Sequence, residues 1–128
     1  MPHALVEVWQ ADESGRYQHP SAPDPAAPGE GFIGCGAQRT DAQGRYFFRT
    51  LKPGAYVEAG QTRAPHIHFQ VTGRCDRLVT QMFFADEALN AVDRWYSAIP
   101  NPQRLVATVS QRTPHSLRLV WDIVLPTG

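Results

Sequence analysis

Apolar and polar residues alternate with a period of two along most of the chain, the spacing of strands that are covered on one face. Leu5-Val6-Glu7-Val8-Trp9 is β-branched and aromatic and stops at the turn-forming Asp12-Glu13-Ser14-Gly15, which predicts a strand with Tyr17 just past its end. Between Pro20 and Gly36 the repeated prolines and glycines forbid regular structure, so this stretch reads as a loop covering something. Residues 37–40 and 45–50 flank Asp41-Ala42-Gln43-Gly44 and predict a hairpin. Lys52-Pro53-Gly54 makes another sharp turn and delivers Ala55-Tyr56. Residues 66–72, 78–84, 105–110 and 117–124 read as further strands. Only residues 86–97 have helical spacing, with Ala88, Ala91, Val92 and Trp95 on one side. About seven short strands at regular spacing predict an all-β fold, an antiparallel β-sandwich with long loops and one short helix.

A length of 128 residues fits a single domain over residues 1–128. Lys and Arg total 12, as do Asp and Glu, so no net field exists to hold a polyanion and no nucleic-acid partner is expected. Lys52 is the only lysine, and the remaining cations are the planar, hydrogen-bonding arginines. No apolar run approaches the roughly 18 residues of a membrane span, and Met1-Pro2-His3-Ala4 does not open a leader, so a soluble cytoplasmic protein is expected. Cys35 and Cys75 have neither the number nor the neighbours for a disulfide scaffold or a zinc site and read as free thiols.

The sharpest chemical feature is Pro65-His66-Ile67-His68-Phe69, because side chains at i and i+2 of a strand leave the same face and two imidazoles there can converge on one ion. Taken alone, the pair is equally a solvated strand face. Zinc or ferrous iron would ask for another histidine or a carboxylate, and the nearest, Glu58 and Asp76, have no telling spacing. Tyrosine stands out instead. Tyr17 and Tyr56 both lie where strands give way to loops. A trivalent hard cation displaces a phenol proton that water holds to pH ~10, and two phenolates favour Fe(III) over Fe(II) by charge neutralisation. Two tyrosines and two histidines would thus hold ferric iron. Tyr46 reads as a packed strand residue, and His3, His19 and His115 as surface residues.

At this point the chain resembles the intradiol ring-cleavage dioxygenases, most closely the protocatechuate 3,4-dioxygenase branch. Leu5-Val6-Glu7-Val8-Trp9-Gln10-Ala11 with Gly15-Arg16-Tyr17 is similar to the family's strand and first tyrosine ligand. Phe32-Ile33-Gly34-Cys35-Gly36 leads into Thr40-Asp41, and the run from Gly44 to Tyr56 resembles the segment ending in the second tyrosine. Arg63-Ala64-Pro65-His66-Ile67-His68-Phe69 is similar to the stretch with the paired histidines, and Leu78-Val79-Thr80-Gln81-Met82-Phe83-Phe84 to the strand after it. The likeness runs over roughly residues 4–86 and weakens beyond.

The resemblance implies a β-sandwich holding non-haem Fe(III) through Tyr17, Tyr56, His66, His68 and a hydroxide, and opening a catechol-type ring with O2 to a cis,cis-muconate-type product. It implies Tyr56 as a ligand that doubles as a base, Arg63 and Gln81 beside the reacting ring, and Trp9 as a residue that lines the substrate pocket or the core. A small aromatic diol and O2 are the expected partners, with homo-oligomerisation by family habit. Three departures bear on this. The family's helical segment and first strand ahead of the Trp9 strand are not in the sequence, which suggests a minimal domain, a clipped start or a partner chain. Ala64-Pro65 has the residue order of the metal-free subunit of the two-subunit enzymes, and Glu58 stands where an aromatic substrate contact is usual. The full ligand set speaks against a dead subunit. The competing expectations are a non-catalytic β-sandwich binding module, transthyretin-like or carbohydrate-binding, and an inactive partner subunit.

Overall fold

In the strand His66–Thr72, the side chains of Ile67, Phe69 and Val71 are buried on one face, while His68, Gln70 and Thr72 lie half-covered on the other. The computed structural model describes residues 1–17 and 33–126. Among these, the strands are β1 (Leu5–Trp9), β2 (Cys35–Arg39), β3 (Tyr56–Glu58), β4 (Gln61–Arg63), β5 (His66–Thr72), β6 (Arg77–Phe83), β7 (Thr108–Arg112) and β8 (Leu117–Val120), with one short helix, α1 (Arg94–Ala98). Every named strand pair is antiparallel. The largest sheet has the order β2-β1-β5-β6, while β3-β4 and β7-β8 form separate two-stranded sheets. The fold is an all-β sandwich.

Register makes the large sheet two-sided. Val8 lies opposite Phe69, and Phe69 opposite Thr80, on the core side. One residue along, Trp9, His68 and Gln81 form a cross-strand row on the other side. The core side packs against Leu117 and Leu119 of β8 and against the irregular segments carrying Tyr46, Phe48, Trp121, Ile123 and Leu125. Phe69 is its centre, with the rings of Trp121, Tyr46 and Phe48 at 5.1, 5.9 and 6.4 Å. On the opposite side Phe83 is fully buried beneath α1, 5.9 Å from Trp95 and 5.0 Å from Tyr96.

Several expected elements take another form. The Asp41 turn exists, with Asp41 Oδ1 accepting from the backbone of Gln43 and Arg45. No ladder follows it, because β2 spends its hydrogen bonds on β1 and residues 45–50 pack as irregular chain. The Phe47 N–H is satisfied by the Gln38 side chain instead. The expected helix over residues 86–97 is a 3-10 segment, Ala88–Val92, and the separate α1, because Asp93 between them is extended (φ −75, ψ 112). Val92 is 58% exposed, so the apolar spacing there does not mark a buried stripe. The last strand ends at Val120, and the β3-β4 hairpin, with Ala59 and Gly60 at positive φ in its turn, replaces what read as a simple delivery of Tyr56. The anticipated covering loop falls largely on residues 18–32, outside the described residues, as does His19. His3, His115, Cys35 and Cys75 are exposed, both thiols are free, and no described helix is long and apolar enough to cross a membrane.

Candidate metal centre

Tyr17 and Tyr56 come from segments far apart in sequence that two turns press back to back. Asp12 closes the first turn: its Oδ1 accepts from the Ser14 and Arg16 amides, and its carbonyl accepts from both Gly15 and Gly54. The approach leaves no room for side chains. A Cβ on Gly15, whose φ is +80°, would lie 2.1 Å from the Ala55 carbonyl oxygen, and one on Gly54 would lie 2.4 Å from that of Glu13. Gln10, buried at the end of β1, reinforces the junction by donating to the Leu51 carbonyl at 2.8 Å and accepting from the Thr50 hydroxyl at 2.8 Å.

The phenols so delivered meet the two histidines of β5. Tyr17 Oη is 3.0 Å from His68 Nε2 and 3.3 Å from Tyr56 Oη; Tyr56 Oη is 3.3 Å from His66 Nε2; and the two Nε2 atoms are 3.2 Å apart. Four donor atoms thus close a ring. Donors held about 2.0–2.2 Å from one ion sit roughly 3 Å from their neighbours, so the ring has the dimensions of a coordination shell.

Proton counting gives the same answer. His66 Nδ1 donates to the Ala64 carbonyl at 2.6 Å, so in the neutral imidazole Nε2 carries no proton. Burial, with the Arg63 charge acting in the same sense, lowers the pKa of His66 to about 4. Burial, then the neighbouring His66, lowers that of His68 to about 3. Both rings are therefore neutral at neutral pH. Two phenol protons and at most one on His68 Nε2 must serve the four contacts, so without a cation one contact sets lone pair against lone pair. Burial also raises both phenol pKa values, so in the metal-free site they are protonated. Two phenols and two imidazoles suit a hard trivalent ion that displaces those protons. Among the described residues no group of three His, Cys, Asp or Glu could hold a metal, which leaves the phenol-containing cluster as the candidate.

The other predicted residues gather around the ring. Trp9 stacks on His68 with its plane 2° from parallel at 4.9 Å, so its indole sits beside a donor. Arg63, opposite Tyr56 in the β3-β4 register, donates from Nη2 to Gln81 Oε1 at 2.5 Å and from Nε to Asp93 at 3.0 Å. Glu58 is exposed on β3 and its charge contributes to the raised Tyr17 and Tyr56 values. Sequence reasoning missed Asp93, Gln10 and the Gly15-Gly54 contact. Only the helix-capping preference of aspartate before Arg94-Trp95-Tyr96 would have drawn attention to the first.

A family model described as Dioxygenase matches residues 1–127. The chain is 41% identical over 133 residues to a protocatechuate 3,4-dioxygenase beta chain of Burkholderia cepacia, covering 96% of this chain and 57% of that one. It is 35% identical to the alpha chain from the same organism, covering 79% of this chain and 51% of the relative. It thus spans little more than half the length of either. The fold matches that of 3-chlorocatechol 1,2-dioxygenase from Rhodococcus opacus 1CP with a TM-score of 0.69 at 23% identity, covering 93% of this chain and 50% of that structure. With a family model over nearly its full length, and a relative 41% identical over nearly all of it, this chain belongs to the intradiol ring-cleavage dioxygenases.

Proposed function

We propose that the chain binds ferric iron through Tyr17, Tyr56, His66 and His68 and cleaves a catechol-type ring between its two hydroxyl-bearing carbons, giving a cis,cis-muconate-type diacid that retains both atoms of O2. The closed ring of four donors, short of a proton for its four contacts, is the observation that carries this reading. Ferric iron bound there supplies a Lewis acid that draws electron density from a chelated catecholate and opens the ring to O2. The protein's part is proton handling, charge and position. Tyr56 would accept a substrate hydroxyl proton on giving way to the diol, while Arg63, across the β3-β4 register, favours its phenolate form before the diol arrives. Arg63, with Nε held by Asp93 and Nη2 by Gln81, meets negative charge that develops on the substrate, and Gln81 holds it at the right height. Trp9 walls the pocket on the His68 side and keeps that imidazole from turning.

Relatives named as alpha and beta chains of one enzyme belong to multi-chain assemblies, and on that footing we propose that this chain self-associates, which sedimentation will test. Protein loaded with ferric iron is expected to be red to burgundy from tyrosinate-to-iron charge transfer and to consume O2 with at least one member of a catechol panel. Tyr56→Phe is expected to shift the band and slow turnover. A colourless protein that retains zinc and refuses ferric iron would overturn the proposal. A second reading draws on the chain spanning 57% and 51% of its two relatives: another chain completes the pocket. Coloured, iron-loaded protein that consumes no O2 with any catechol would favour it.

A further inference from the structure

Asp93 is 0% exposed, and both of its oxygens are engaged. Oδ1 accepts from the Tyr96 amide at 3.0 Å and caps α1. That role needs one oxygen. Oδ2 reaches across to the β4-β5 junction, where it accepts from Arg63 Nε at 3.0 Å and from the Ala64 amide at 2.9 Å. We propose that Asp93 is a positioning residue of the metal centre: its Oδ2 sets the Arg63 guanidinium and, through Ala64, the His66 imidazole. The inference rests on the function proposed above.

Two physical links carry it. A guanidinium is planar, so fixing two of its edges fixes its orientation. Asp93 takes Nε, Gln81 takes Nη2, and the Trp95 ring lies 6.0 Å from the central carbon. The second link runs through the backbone. Pro65 confines Ala64 to extended conformations, so anchoring the Ala64 N–H also determines where its carbonyl points. That carbonyl accepts from His66 Nδ1 at 2.6 Å, which presents Nε2 to the donor ring. One carboxylate thereby sets both the cation nearest the substrate and the lone pair of a metal donor. The Arg63 side chain is only 11% exposed, so this pairing also supplies the counter-charge that a buried guanidinium requires.

Asp93→Asn tests the assignment. The amide oxygen still caps Tyr96, but the amide nitrogen then faces the Arg63 Nε–H and the Ala64 N–H, donor against donor. Ferric affinity and kcat are each expected to fall about 10- to 100-fold, the usual loss for an outer partner of a metal ligand. In metal-free protein, 15N spectra of the imidazoles report on His66 directly: its Nδ1–H resonance should broaden or move. In the double variant with Arg63→Met, the loss in kcat should be smaller than the product of the single losses, because Asp93 acts there through Arg63. A folded Asp93→Asn protein with the wild-type His66 resonance, ferric affinity and kcat would overturn the proposal, as would independent effects in the double variant. If Asp93→Asn does not fold, Asp93→Glu, which keeps the charge but displaces it, is judged by the same readings. Wild-type protein that takes no ferric iron refutes the proposed function instead, and the His66 resonance still decides for or against Asp93.

Discussion

Asp12-Glu13-Ser14-Gly15-Arg16-Tyr17 and Asp41-Ala42-Gln43-Gly44-Arg45-Tyr46 share the pattern Asp-x-x-Gly-Arg-Tyr, and their turns are built alike. In each, the aspartate Oδ1 accepts from backbone amides two and four residues on, and the glycine stands near φ +80° (+80° and +79°). The tyrosines that follow have opposite fates. Tyr17 turns to the donor ring, while Tyr46 packs against Phe69 and donates to the Trp121 carbonyl at 2.6 Å. Burial raises the pKa of both phenols, that of Tyr46 to about 12, so burial alone does not distinguish the two. What differs is the tertiary partner: the first turn is clasped to Gly54, whereas the second lies against the backbone of Met1, 2.7 Å from where a Cβ on Gly44 would stand. A local motif makes the turn, and long-range contact decides what the tyrosine after it does.

The sharpest break between the two turns is expected from the tyrosines. Tyr17→Phe should lower ferric affinity beyond the roughly 10–100-fold typical of an outer-shell loss, and Tyr46→Phe should leave it unchanged while costing about 1 kcal/mol of stability through the orphaned Trp121 carbonyl. Ferric titration and chemical denaturation separate the two effects. Next come the glycines. Gly15→Ala would put its Cβ 2.1 Å from the Ala55 carbonyl oxygen and is expected to cost about 3 kcal/mol, against a smaller loss for Gly44→Ala, whose Cβ would lie 2.7 Å from the Met1 nitrogen. Equal losses in denaturation would sink the claim that the first turn is the clasped one. Replacing the aspartates sharpens the contrast more gently: Asp12→Ala and Asp41→Ala should each lose a little stability with their two amide bonds, but only the former should weaken iron binding.

A separate test of the site concerns pH. His66 and His68 hold folded pKa values of about 4 and about 3, below the unfolded value of 6.5, so between these limits the unfolded chain binds protons that the fold refuses. Stability of the metal-free protein should therefore fall as pH drops from about 6.5 toward about 3. His68→Asn should flatten that slope and Tyr46→Phe should not, as denaturation at a series of pH values will show.

The strand bearing the histidines was legible because its period of two is a local property: Ile67, Phe69 and Val71 go to the core and His66 and His68 to the site. The two phenols were legible by residue type and by resemblance, although their meeting depends on a contact between turns with no signature beyond two glycines. Asp93 escaped notice because its partners, Arg63 and Ala64, are about thirty residues away in sequence. The hairpin expected around Asp41 and the helix expected over residues 86–97 failed for a common reason. Each had the right local spacing, but β1 captured one partner strand, and an extended Asp93 with its cross-sheet bonds interrupted the other element.

The contact between Gly15 and the Ala55 carbonyl puts main chain against main chain, with no side chain interposed. The spacing of the two oxygens is in this way insulated from whatever the rest of the cavity becomes. If the proposed function holds, walls can be recut for bulkier or smaller rings without moving these oxygens, and remodelling that avoids these two loops should change which diol is accepted before it changes ferric affinity.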